Sequence, residues 1–292
     1  MISTVQTKLL ACKDRVPVIT GYFGTIPGGL VDGEVGRGYS DLCAALVAAA
    51  LNAKELQIWK EIDGIFTADP AKVPTARLLH TITPLEAAEL TFYGSEVIHP
   101  FTIEQVTRVT PPINVRIKNV RNPKGHGTII VSDSKLRVGH FFPPPDLLKS
   151  VNETNHKAKR PTAITIKDKI CVVNVRSNKR SISHGFFFQV FSILNKRHLS
   201  VDLISTSEAN VSMAIHSANI RIENLQEVRK DLELYGEVNI LHDMAILSLV
   251  GAEMKNMVGI AGRMFSALGE DNVNIEMISQ GDATSKLHKS LN

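Results

Sequence analysis

The sequence predicts an α/β protein in two parts, a strand-and-helix unit followed by a small βαββαβ module present in two copies. Three observations predict it. Short β-branched runs alternate with helical stretches between Val16 and Val131, at crossover lengths suited to parallel strands. From Ser132 to Pro161 the texture changes to a polar stretch that includes Pro143-Pro144-Pro145 and reads as a linker. Beyond it, Phe191-Ser192-Ile193-Leu194 recurs as Phe265-Ser266-Ala267-Leu268, and Val201-Asp202-Leu203-Ile204-Ser205 recurs as Ile275-Glu276-Met277-Ile278-Ser279, both at an offset of 74 positions. Two segments moving in register are the signature of a repeat.

Composition bounds the function. At 292 residues the chain is long enough for about two domains with cores of their own. The net charge of +4 is spread out apart from Lys157, Lys159 and Arg160, too little for a nucleic-acid partner. Three distant cysteines give no disulfide or metal framework and fit a reducing compartment. No apolar run reaches membrane-spanning length and no signal-peptide pattern opens the chain, so the expected location is cytoplasmic.

In order along the chain, residues 1–15 show no clear pattern. Val16-Pro17-Val18-Ile19-Thr20, closed by Gly21, reads as a buried strand, and residues 24–29 as a loop. Gly36-Arg37-Gly38-Tyr39-Ser40-Asp41 then runs into an almost unbroken apolar stretch, Leu42 to Leu51, which reads as a buried helix with Ser40 as its N-cap. Exposed N–H groups, the positive end of the helix dipole and the Arg37 guanidinium suit a carboxylate or phosphate, while the glycines admit it close to the backbone. The same six residues also suit an ordinary surface loop. Glu55 to Lys60 reads as the next strand, and ligands in such sheets bind beyond the carboxyl ends of strands, which is where the mouth and residues 60–70 would lie.

Thr83-Pro84-Leu85-Glu86 is a capping box with proline at the first helical position, opening a helix to about Tyr93. His99-Pro100 starts another, to about Val109, with His99 read as structural because no second ligand stands at metal spacing. Ile113 to Lys118 alternates like a strand, residues 119–127 form a turn, and Thr128 to Val131 closes the unit. In the first module copy the expected elements are a strand Ile170–Val175, a helix Phe186–Lys196, strands Val201–Ser205 and Val211–Ile215, a helix from Glu223 and a strand Val238–Leu241. In the second they are a strand Ala245–Val250, a helix Gly259–Leu268 and a strand Asn274–Ser279, followed by a polar tail with neither strand nor helix.

Taken together, Gly36-Arg37-Gly38-Tyr39-Ser40-Asp41, Trp59-Lys60-Glu61-Ile62-Asp63-Gly64-Ile65-Phe66-Thr67-Ala68-Asp69-Pro70, Gly94-Ser95-Glu96-Val97-Ile98-His99-Pro100 and the tandem repeats resemble the aspartate kinases, most closely those of fungi. The resemblance runs from Val16 to Gly281 and implies the carboxy-terminal part of an amino-acid kinase α/β/α sandwich followed by tandem ACT modules. It implies domains at 1–131 (partial kinase), 132–161 (linker), 162–243 (first ACT) and 244–292 (second ACT, incomplete). The implied reaction moves the γ-phosphoryl group of ATP, carried with Mg²⁺, to the β-carboxylate of L-aspartate, the first step towards threonine, methionine and lysine.

By position, the resemblance makes Arg37, with Gly38 and Ser40, the grip on aspartate. Asp41 takes the place of a catalytic aspartate, or serves only as a favourable acid in a helix's first turn. Lys60, Glu61 and Phe66 stand where the family contacts adenine and ribose, and Lys72, beside Ala71, where an arginine usually meets phosphate. Ser183, Gly185, Phe186, Val201, Asp202, Ser207 and Glu208 match an effector pocket for a feedback amino acid, threonine ahead of lysine, although Phe186 and Val201 also suit plain core. No protein metal ligand is implied, and homo-oligomers through the ACT modules are expected. The family's Lys-Phe-Gly-Gly-Thr-Ser motif, whose lysine neutralises the transferring phosphoryl group, is not in this sequence. The expectation is therefore an amino-terminally truncated member that is weak or inactive alone, with a non-catalytic ACT-containing sensor or partner subunit as the alternative.

Overall fold

The computed structural model describes residues 2–21, 38–91, 98, 100–131, 161–178, 185–217, 222–251, 254–280 and 284–290. Arg37, His99, Ser183 and nearly all of the expected linker lie outside them. The chain divides into two compact units, residues 1–163 with 250–252, and residues 164–249 with 253–292.

The first unit begins with helix α1 (Ile2–Leu10), where the sequence showed no pattern, and it packs beside α2 (Tyr39–Leu51). Then follow β1 (Glu55–Lys60), β2 (Thr81–Ile82), α3 (Pro84–Leu90), α4 (Pro100–Thr107), β3 (Asn114–Asn119) and β4 (Thr128–Ile130). The sheet order is β1-β3-β4-β2, with β1 parallel to β3, β2 parallel to β4, and β3 antiparallel to β4. Alternation sorts the faces: Leu56, Ile58, Val115 and Ile117 join Ala45, Ala48, Leu90, Ile103 and Val106 from the three helices in one core. The capping box is present as read, with the Thr83 hydroxyl accepting from Glu86 N and the Glu86 carboxylate accepting from Thr83 N.

One expected element is absent. Residues 16–20 form no strand, and Val16 and Val18 are 87% and 96% exposed. An apolar, β-branched run satisfies the composition of a strand, but a strand also needs a neighbour to take its N–H and C=O groups. The parallel partner of β1 is β3, reached through α3 and α4, rather than the Val16 segment.

The second unit contains β5 (Ala163–Ser177), α5 (Phe186–Lys196), β6 (Leu203–Thr206), β7 (Asn210–His216), α6 (Ile222–Glu233), β8 (Gly236–Val250), α7 (Ile260–Glu270), β9 (Ile275–Gln280) and β10 (Thr284–Ser290). Its sheet order is β6-β7-β5-β8-β10-β9. The offset of 74 seen in the sequence maps α5 onto α7 and β7 onto β10 residue for residue. It also maps the left-handed Lys169 (φ 58°) onto Asp243 (φ 55°), Gly185 (φ 100°) onto Gly259 (φ 79°), and His198 (φ 54°) onto Asn272 (φ 56°). The sheet therefore reads the same from either edge, β6-β7-β5 answering β9-β10-β8. Residues 170–238 enclose one core, around Cys171, Val190, Leu194, Met213 and Leu232, and Leu247 with Met264 centres a second.

Two readings are corrected here. The tail carries a strand after all: β10 pairs antiparallel with β9, Ser285 opposite Gln280 and Leu287 opposite Ile278. Thr-Ser-Lys-Leu-His-Lys-Ser lacks the alternation of a half-buried strand, but β8 and β9 flank it and offer its backbone partners on both sides. The segments Val238–Leu241 and Ala245–Val250 belong to one strand, β8, which passes through the left-handed Asp243 without ending. Among the described residues no helix is long and apolar enough to cross a membrane.

Candidate active site

The mouth forms where α2 begins, though not quite as the sequence suggested. Gly38, at φ 77°, ψ 18°, is the N-cap, and Ser40 sits inside the first turn rather than capping it. The left-handed turn, open to glycine, starts the helix two residues early, and a glycine cap brings no side chain of its own to the first-turn N–H groups. Gly21 passes so close that a Cβ there would lie 2.8 Å from Ser40 Cβ, and its carbonyl accepts from Cys43 Sγ at 3.1 Å.

Asp41 faces across to the carboxyl end of β1. Its Oδ2 accepts from Lys60 Nζ at 2.8 Å, with the aspartate side chain 12% exposed and the lysine 33%. This joins two residues that the sequence placed in different roles. Past Lys60 the chain turns outward: the Glu61 carboxylate is largely exposed and meets Arg121 Nη2 at 3.5 Å.

The Lys60 carbonyl accepts from Val120 N at 2.8 Å, which ties the loop after β1 to the loop after β3. Between these loops lies a cleft of about 220 Å³ lined by Asp63, Phe66, Leu78, Asn119, Asn122, Gly125, His126 and Gly127. Asp63 Oδ1 accepts from both Asn119 Nδ2 (3.0 Å) and Asn122 Nδ2 (3.3 Å). Asp63 stands inside the motif from Trp59 to Pro70, which gave it no role, and the sequence reading missed Asn119 and Asn122, whose only signal was the turn chemistry of Asn-x-x-Asn. Lys72 stands farther on, in a turn built on Asp69, whose Oδ1 accepts from Ala71 N and whose carbonyl accepts from Lys72 N. Chemically, the arrangement offers an anion-attracting helix start, a fixed ammonium beside it, and an aromatic-sided cleft. Among the described residues no three His, Cys, Asp or Glu side chains gather to hold a metal ion.

Comparison with known proteins addresses the family of the chain. The amino acid kinase family profile matches residues 2–119, and an ACT domain profile matches residues 247–287. The aspartate kinase FUB3 of Fusarium oxysporum f. sp. lycopersici is 57% identical over 93% of this chain and 50% of its own length, and the aspartokinase of Saccharomyces cerevisiae is 54% identical over 96% and 54%. The chain belongs to the aspartate kinase family. It spans about half the length of the curated relatives it matches. Among solved structures, the aspartate kinase of Clostridium acetobutylicum is similar with a TM-score of 0.75 at 26% identity, covering 99% of this chain and 62% of its own. E. coli aspartokinase III in complex with aspartate and ADP follows with 0.68 at 27%, covering 87% and 52%.

In the second unit the expected effector residues fall around α5. Gly185 is the left-handed N-cap of α5, and the space where its Cβ would stand is open. Phe186 is buried in the core of the first module, and Val201 packs against that core. Asp202 Oδ2 accepts from Lys167 Nζ at 2.8 Å, a pairing the sequence did not suggest. Ser207 and Glu208 lie in the exposed turn between β6 and β7, where Ser207 N donates to Asn210 O.

Proposed function

We propose that this protein is an aspartate kinase that transfers the γ-phosphoryl group of Mg²⁺-bound ATP to the β-carboxylate of L-aspartate, on the route to threonine, methionine and lysine. The observation that carries the reading is the Asp41–Lys60 pair at the glycine-flanked start of α2, inside a chain 57% identical to an aspartate kinase. Such chemistry asks little covalent help of a protein: it needs the reactants positioned and the phosphate charge neutralised. Gly38, Ser40 and Asp41, with Arg37, serve the aspartate side; Phe66, Glu61 and the cleft beside them serve the nucleotide, with Lys72 as a further cation; Mg²⁺ arrives with ATP. The relative from E. coli was solved with aspartate and ADP, which supports aspartate and an adenine nucleotide as ligands here.

The reading extends to regulation. An amino acid, threonine ahead of lysine, binds at Gly185, Phe186, Val201, Asp202, Ser207 and Glu208 with Ser183, in a cytoplasmic homo-oligomer joined through its ACT modules. E. coli aspartokinase III has been solved with lysine, which supports an amino-acid effector. The module boundaries 162–243 and 244–292 belong to the same proposal.

Calorimetric titration with MgATP and L-aspartate, alongside a hydroxamate assay for aspartyl phosphate, tests the reading. Binding of both substrates is the expected result, because positioning them is what the chemistry asks of the protein. Absence of either substrate's binding overturns the kinase reading.

A further inference from the structure

We infer that Lys60 is a phosphate cation set between the two substrates, with Asp41 as its positioning residue, rather than a contact to the nucleoside. The inference rests on the aspartate kinase reading and deepens it. Three observations carry it. Lys60 is the last residue of β1, so its side chain stands at the carboxyl end of the sheet, where the first turn of α2 also lies. Its ammonium is fixed at 2.8 Å to Asp41, whose side chain is nearly buried, while its own remains one-third exposed. The loop containing Phe66, which sides the cleft, leaves directly from Lys60, and the opposite loop is tied to its carbonyl through Val120 N.

The ammonium therefore sits at the α2 mouth, while only the backbone of Lys60 reaches towards the cleft. An anion gripped at the mouth and a base lodged in the cleft would leave a phosphate chain to run past Nζ. An ammonium carries three donors and the bond to Asp41 uses one of them. As the aspartate carboxylate oxygen bonds to the γ-phosphorus and the bond from that phosphorus to the bridging oxygen of ADP breaks, charge spreads over the three equatorial oxygens. A compact point charge tolerates that shift, and Asp41 keeps it from swinging into solvent.

The test titrates the full 292-residue chain by calorimetry with MgATP, MgADP, adenosine and L-aspartate. Lys60→Met is expected to weaken MgATP and MgADP about tenfold while adenosine and aspartate stay within about twofold, as for loss of one charge-assisted bond. Lys60→Arg should restore most of the loss. Asp41→Asn should weaken MgATP but add little on top of Lys60→Met, because the two act as one unit. Circular dichroism melts confirm that each variant folds, and Lys60→Gln replaces Lys60→Met should the latter not fold. Adenosine weakened as much as MgATP places Lys60 on the nucleoside and overturns the inference, as does unchanged MgATP binding. A wild-type chain that binds no nucleotide overturns the kinase reading beneath it.

Discussion

Glu55 shows how a single carboxylate records its surroundings. Burial alone would raise its pKa, but hydrogen bonds from Arg116 and Gln57, with the charges of Arg116 and Lys118 nearby, hold it below the ordinary carboxylate range. Both Arg116 Nε and Nη2 reach Glu55 Oε2 at 2.9 Å, joining the outer faces of β1 and β3. A carboxylate whose pKa is lowered in the folded state contributes stability above its unfolded value, and loses it as pH falls through the folded value. Glu55→Gln should therefore lower the urea midpoint at pH 7, and the gap between variant and wild type should narrow steadily as pH drops below about 4. A gap that stays constant with pH would mean that the pair contributes through packing alone. The partner of Glu55 was not legible in the sequence, since Arg116 is 61 positions away. The Thr83 capping box was legible because every atom it needs lies within four residues.

The same rule of range separates the elements that the sequence revealed from those it hid. α3, α4, α5 and α7 declare themselves through periodicity and local stop signals. The Val16 run and β10 went wrong in opposite directions: one has strand composition and forms no strand among the described residues, the other has partners on both sides and no strand composition. Strands are defined by pairing, which a single sequence does not display. The candidate site divides likewise. Asp41 and Lys60 were each legible from the motifs around them, but their pairing across 19 positions emerged only in the folded chain. β10 gives a sharp test at this scale. Leu287→Pro removes one ladder donor from a strand with neighbours on either side, at a cost of about 1–3 kcal/mol. Hydrogen exchange should then show faster exchange at β9 amides near Ile278, while β7 and α5 in the first copy keep their protection. Unchanged β9 protection would remove β10 from the sheet.

At the scale of the whole chain, the second unit is one fold written twice, and the open question is whether the two copies do the same work. Gly185 and Gly259 occupy equivalent left-handed N-caps, at φ 100° and 79°, and a Cβ at either would meet no atom within 4 Å. Substituting alanine at each therefore costs only backbone strain, about 1–2 kcal/mol. The two costs should be equal and, with the sites in separate helices, should add in the double variant. Binding need not follow stability. Proposed effector residues cluster around Gly185, whereas the second copy places Ile275 and Glu276 at the positions of Val201 and Asp202, and Glu276 is held by Asn174 Nδ2 at 3.2 Å. Asp202 is itself paired with Lys167, so what separates the copies is the longer acid and the bulkier residue before it, which reshape the second pocket for an amino acid's ammonium group. Thermal melts of Gly185→Ala and Gly259→Ala should thus shift alike, while calorimetric titration with threonine should lose heat for Gly185→Ala only. Equal loss of heat in both variants would mean that the second copy binds the effector too, and loss confined to Gly259→Ala would place the effector there instead.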